Sequence, residues 1–187
     1  MKSTLLQAPR HRLLLAAAAL LCAAQVQAAT PEAKMVYAQA KDQAAATYKA
    51  ARAKCDAVTG NPKDVCVAEA KAARVRTEEE AGALYKNTLR AYTQSRLKIA
   101  AANYDLDKTR CGALAGNPKD VCVSEAKATL IAAQADAKAD KKAIEARTDA
   151  RDDKRTAEYK VALEKCDAYA GAVKASCVST AKSQYGM

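Results

Sequence analysis

The chain has 187 residues, with 31 Lys and Arg against 21 Asp and Glu, giving a formal net charge of +10. It has no Trp and no Phe, its aromatic share is 4%, and it holds only 6 Gly and 4 Pro. Such a composition excludes a Gly/Pro-rich fibre and a globule packed around large aromatic side chains.

The first element reads as an export signal of the general secretory (Sec) type. Lys2, Arg10 and Arg12 precede an apolar run from Leu13 to Ala24 that is too short to span a bilayer. Val26, Gln27 and Ala28 place small residues where a signal peptidase requires them, so cleavage is expected after Ala28. The expected organisation is a signal peptide over residues 1–28 and a helical repeat domain over residues 29–187. Leu20 and Leu21 before Cys22 exclude a lipid-anchoring cysteine, and His11 separates Arg10 from Arg12, so no twin-arginine pair exists. No later segment is apolar enough to cross a membrane, and a periplasmic or secreted location follows.

After processing, 28 Lys and Arg face 21 Asp and Glu, a net charge of +7, and the only histidine is gone. The remaining 159 residues hold 40 Ala but only 20 Leu, Ile and Val. So few large aliphatics would ordinarily favour disorder. Alanine, Lys, Glu, Gln and Arg are all strong helix formers, however, and small side chains let helices approach closely. The expectation is an all-α protein of long, thin antiparallel helices, extended or of coiled-coil type.

A twelve-residue element bounded by cysteines then recurs three times: Cys55–Cys66 (CDAVTGNPKDVC), Cys111–Cys122 (CGALAGNPKDVC) and Cys166–Cys177 (CDAYAGAVKASC). Successive copies are 56 and 55 residues apart, and Tyr48, Tyr104 and Tyr159 each stand seven residues before the first cysteine. A fixed period marks one supersecondary unit per copy. Six cysteines in an exported chain form a disulfide framework, and although 15 connectivities are open, pairing within copies is the economical one.

Each copy contains a turn. Gly60 is expected to end one helix in a left-handed conformation, Asn61 to cap the next, Pro62 to take its first position and Asp64 to face its N-terminus. Gly116, Asn117, Pro118 and Asp120 repeat the pattern; the third copy keeps Gly171 but lacks the cap, proline and acid, so its turn should be the least sharply defined. The cysteines flank these turns, and antiparallel arms bring them together as staples across αα-hairpins. Each closed loop is worth about 3 kcal/mol on the chain-entropy model.

Between turns, residues 61–115 and 117–170 have few breakers and each has room for one helix of about 50 residues, a continuity the sequence leaves open. Gly82, after Glu78, Glu79 and Glu80, is the expected break or bend in the first. Tyr85, Tyr92, Ile99 and Leu106 form one sevenfold row, and Leu97, Tyr104 and Cys111 a second on another face, so this helix should touch two partners. Asp136 to Arg155 is almost wholly Ala, Lys, Asp and Arg, with Ile144 its main large apolar residue, and reads as a solvated helix.

Several chemistries lack their residues. Without histidine no Ser-His-Asp or Cys-His site can form, and the commonest zinc ligand is missing. There is no C-x-x-C, P-loop or G-x-G-x-x-G motif. No catalytic residue, metal site or cofactor is assigned. Nucleic acid is a poor candidate partner because no reading motif is present.

At its three motifs the chain resembles a group of exported, Ala/Lys-rich helical repeat proteins of Gram-negative bacteria that carry a tandem KCDA-x-x-GN-x-KDVCV-x-EAKA motif. Here it stands as KCDAVTGNPKDVCVAEAKA from Lys54, RCGALAGNPKDVCVSEAKA from Arg110 and KCDAYAGAVKASCVSTAKS from Lys165. Proteins of that kind are sometimes labelled TolA-like, in cell-envelope biogenesis. The resemblance implies an envelope location and brings no catalytic residues.

The functional expectation is a non-enzymatic periplasmic protein that presents basic helical surfaces to an envelope protein or a polyanionic surface. Sevenfold rows are also compatible with self-association. One alternative is a periplasmic stress chaperone for unfolded clients, and another is thiol-based metal binding by reduced cysteine pairs.

Overall fold

The computed structural model describes residues 30–187, so the expected signal peptide, its cleavage site after Ala28, His11 and Cys22 lie outside the described residues. Five helices follow one another: α1 (Pro31–Lys54), α2 (Asn61–Lys86), α3 (Leu89–Arg110), α4 (Gly116–Cys166) and α5 (Gly171–Tyr185). The described chain is all-α, and extensive packing joins only consecutive helices. Antiparallel α1 and α2 form the first stapled hairpin, α3 and the start of α4 the second, and the end of α4 with α5 the third. Among the described residues no helix is long and apolar enough to cross a membrane.

Local sequence explains most boundaries. Thr30 caps α1 by accepting a 3.2 Å hydrogen bond from the Ala33 N–H, and Pro31 follows at a position where its missing donor costs nothing. The first and second hairpins leave their first arm through a short 3-10 turn, Cys55–Ala57 and Cys111–Ala113. Gly60, Gly116 and Gly171 all have positive φ (65°, 58° and 56°). They stand at the start of the second arm, however, and not at the end of the first. Gly60 immediately precedes α2, and its carbonyl accepts from the Lys63 and Asp64 N–H groups at 3.0 and 3.2 Å.

Asn61 is consequently the first helical residue and not a cap, and no side chain caps α2, α4 or α5. Asp64 lies in the first turn of α2, whereas Asp120 falls just past that of α4. The third tip lacks the 3-10 turn of the other two, although its bridge spans the same Cα separation, 5.6 Å against 5.6 and 5.7 Å. A glycine at positive φ and a bridge suffice to shape it without proline.

The segment after the first tip is not one helix, and its break is not at Gly82. Helix α2 runs through Gly82, where an added Cβ would stand 3.7 Å from the ring of Tyr37. Tyr37 in turn stacks on Tyr85 with ring centroids 5.0 Å apart, tying α1 to α2. The chain reverses at Asn87, the one non-glycine residue with positive φ (43°) among those described. Thr88 then restarts the helix, its hydroxyl accepting from the Ala91 N–H at 3.1 Å. Asparagine tolerates the left-handed cap and threonine is a good N-cap, so two residues accomplish the reversal. The segment after the second tip has no such pair and is continuous over 51 residues, about 76 Å.

Packing is done with small groups. Among the described residues the buried side chains are eight alanines, three cysteines and Ser95, and the largest fully buried ones are Cys55, Cys111 and Cys166. Alanine at contact positions draws helix axes to the close end of the usual 8–10 Å range. It also removes little apolar area per residue, so the bridges carry an unusual share of the stability. Helix α3 packs on both α2 and α4, and Leu97, Ile99, Tyr104 and Leu106 of the sevenfold rows are half-buried. Tyr92 is exposed, however, and Tyr85 stands on α2, so the first row does not run along one helix. Beyond the contact of Arg96 with Asp140 (2.5 Å), α4 runs on alone: residues 142–158 are exposed apart from half-buried Thr148.

Candidate interaction surfaces

The three tips share one construction. In each the first cysteine is buried and its bonded partner half-buried, so Cys55–Cys66, Cys111–Cys122 and Cys166–Cys177 lie between the arms, not on the outside. Intramolecular bridges of this kind persist in an oxidising compartment and not in a reducing cytoplasm. In the first tip Lys63 reaches back across the turn to Asp56 at 2.9 Å, and Arg52 joins it at 3.0 Å. Hydrogen bonds from Lys63 and then Arg52 hold the Asp56 carboxyl below its ordinary value. The third tip repeats the strap as Lys174 to Asp167 at 2.8 Å. The second cannot, because Gly112 stands where the others have aspartate.

That glycine is explained by the first tip. Asn61 Nδ2 donates a 2.8 Å hydrogen bond to the Thr109 carbonyl at the end of α3, and a Cβ on Gly112 would come within 2.7 Å of the same nitrogen. Beside it Arg110 donates to Glu69 at 2.9 Å and to Asp107 at 3.0 Å. Glu69 is the main reason that the Arg110 guanidinium is held more firmly protonated than usual. Further along, Lys98 meets Glu79 at 2.8 Å. The side of the first hairpin thus docks on the side of the second through one buried-edge amide and a row of ion pairs. Asn117, which matches Asn61 in the second copy, is exposed.

Two open grooves differ in chemistry. One, of about 650 Å³, lies where α2 faces α3 beside the first tip, and Arg52, Lys63, Lys71 and Lys108 line it against Asp64 and Asp105. Arg52 and Lys63 are both held by Asp56, so these four cations exceed the nearby carboxylates by one, a modest positive potential suited to an anionic group. The other, of about 750 Å³, lies along the third hairpin between α4 and α5. Lys165 is the only charged residue among those lining it, with Tyr169, Val173 and Tyr185 as the large ones; Tyr169 and Val173 are 53% and 60% exposed. Among the described residues no group of three or more His, Cys, Asp or Glu is placed to hold a metal ion.

The expected turn residues thus concentrate at the tips, but the junction that joins two tips rests on Thr109, Gly112, Arg110 and Glu69, none of which their own motif role singles out. Its signal was present in the sequence. Gly112 is the one position where the second copy abandons an aspartate that the first and third retain. Comparison with family models, curated proteins and solved structures finds no match.

Proposed function

We propose that this chain is a non-catalytic, disulfide-stapled helical repeat scaffold of the periplasm, offering a basic helical surface to a polyanionic or acidic protein partner of the cell envelope. The supporting observation is the groove at the junction of the first two hairpins, where Arg52, Lys63, Lys71 and Lys108 outnumber Asp56, Asp64 and Asp105. The bridges, the signal-like N-terminus and the motif resemblance support the location. Rigidly stapled arms keep those cations in place, so little side-chain and backbone order has to be gained on binding.

Binding to vesicles of anionic lipid, to lipopolysaccharide and to wall fragments tests the reading. Affinity should fall as salt rises, and Lys71→Glu with Lys108→Glu should abolish most of it while helicity stays unchanged. Equal binding by that double variant would overturn the assignment of the groove. A chaperone reading is favoured by one separate observation, the groove on the third hairpin with Tyr169 and Val173 exposed and Lys165 its one charged lining residue. It requires suppression of client aggregation that Tyr169→Lys with Val173→Lys removes. Thiol-based metal binding would require the three bridges to be reduced first.

A further inference from the structure

The second arm of the first hairpin and the second arm of the second hairpin carry almost the same sequence, NPKDVCVAEAKA and NPKDVCVSEAKA, 56 residues apart. Only one of them is covered. Under α3, Asn61, Val65 and Ala68 are half-buried and Ala72 is buried at 7% exposure. Their counterparts on α4, namely Asn117, Val121, Ser124 and Ala128, are all exposed, Val121 at 48%. The covering helix has an uncovered counterpart too. Ala102 and Thr109 of α3 are half-buried towards α2, whereas the matching Ala46 and Ala53 of α1, and Lys54 beside them, are exposed. The layer α1–α2–α3–α4 therefore ends on each side in one half of a contact that it makes internally.

We infer that α4 of one molecule receives α1 of a second copy of this chain, antiparallel, as α2 receives α3 within the molecule. Charge supports that occupant. The internal pair Glu69–Arg110 (2.9 Å) has as its counterparts Glu125 and Lys54, again opposite in sign. Asp56 replaces Gly112, so the Asn117 amide cannot take the place that Asn61 takes beside Gly112, and the internal Asn61–Thr109 bond has no counterpart in this contact. The counterparts of Lys71 and Asp105 are Lys127 and Lys49, both cationic, which sets this contact below the internal one in strength. The two faces are different, so the contact is heterologous and extends from copy to copy in place of closing as a twofold dimer. This holds whether or not the basic groove binds an anion.

Sedimentation equilibrium of the processed, disulfide-bonded chain tests it. The mean mass should rise with protein concentration through the high-micromolar range. Ala128→Arg spoils the α4 face and Ala46→Arg the α1 face; both sites are exposed, so fold and bridges should survive, which circular dichroism and peptide mapping verify. Placing an unpaired cation in the contact should weaken association by about tenfold or more in each variant alone. Mixed one to one, the variants should form dimers and stop there, since each retains the face the other lacks. A mass that stays monomeric at every concentration overturns the inference. So does undiminished association of the Ala46→Arg protein, or failure of the two variants to pair.

Discussion

Between the first and second tips the chain runs out and returns, whereas between the second and third it runs straight. The two intervals begin with nearly the same twelve residues and end on a basic residue and a cysteine, yet only the first doubles back. Their middles differ. Asn87 and Thr88 correspond to Ala143 and Ile144, so a left-handed cap and an N-cap on one side face two residues with no reason to leave a helix on the other. Leu84, Leu89, Tyr92, Leu97 and Ile99 flank the reversal, while Lys141, Lys142, Glu145 and Arg147 occupy the straight counterpart. The motif ends write the tips, and the unrepeated middle decides where each tip is delivered.

The comparison can be broken most severely at the bridges. Helix α5 has only α4 as an extensive neighbour, so replacing Cys166 and Cys177 by Ser should remove about 3 kcal/mol and leave α5 without amide-exchange protection. The same change at Cys111 and Cys122 should leave α3 protected, because α2 still holds it. Persistent protection of α5 would show that packing, not the bridge, keeps the third hairpin closed. A smaller effect is expected at the junction. Gly112→Asp restores the motif residue but forces out Asn61, costing about 1–2 kcal/mol in chemical denaturation, against about 0.5 kcal/mol or less for Asp167→Gly on its exposed tip.

Smaller again is the reversal itself. Thr88→Ala removes a cap and should cost about 1 kcal/mol. The reciprocal Ile144→Thr in the straight interval should cost no more than about 0.7 kcal/mol, the span of ordinary helix propensity. If both changes prove equal, capping does not distinguish the intervals. The smallest signal concerns the straps. The Asp56 carboxyl is held below its ordinary value, so whatever it contributes is present above the unfolded carboxylate value and is lost as pH falls through the lower folded one. A side-chain carbon NMR titration should place its midpoint below 3.8, and Lys63→Gln should move it upward.

Helical class, the antiparallel arms and the position of each tip could be read from alanine content, the cysteine period and the glycines. The solvated stretch of α4 was legible only from residue 142 onward; its expected start at Asp136 was too early, because Ala137 is 1% exposed and Asp140 meets Arg96 on α3. The reversal was misplaced at Gly82 because a lone glycine is weak punctuation inside a helix packed on both sides, whereas Asn87 followed by Thr88 satisfies both helix ends at once. The role expected of Asn61 failed for a tertiary reason. Its amide finds the Thr109 carbonyl 48 residues away, a partner that no local rule supplies. Gly112 could have revealed that partner only by asking why one copy lacks the aspartate of its siblings.

The solitary part of α4 has a geometric consequence. With a rise of about 1.5 Å and a turn of about 100° per residue, its length sets both how far the third tip stands from the other two and which way it points. Unbroken through this stretch and edged by exposed pairs such as Lys141–Glu145 (3.0 Å) and Arg155–Asp152 (3.0 Å), it works as a measuring rod with a built-in bearing. Losing or gaining a single residue there would swing the Tyr169 and Val173 groove around the rod by more than a quarter turn while barely changing its reach.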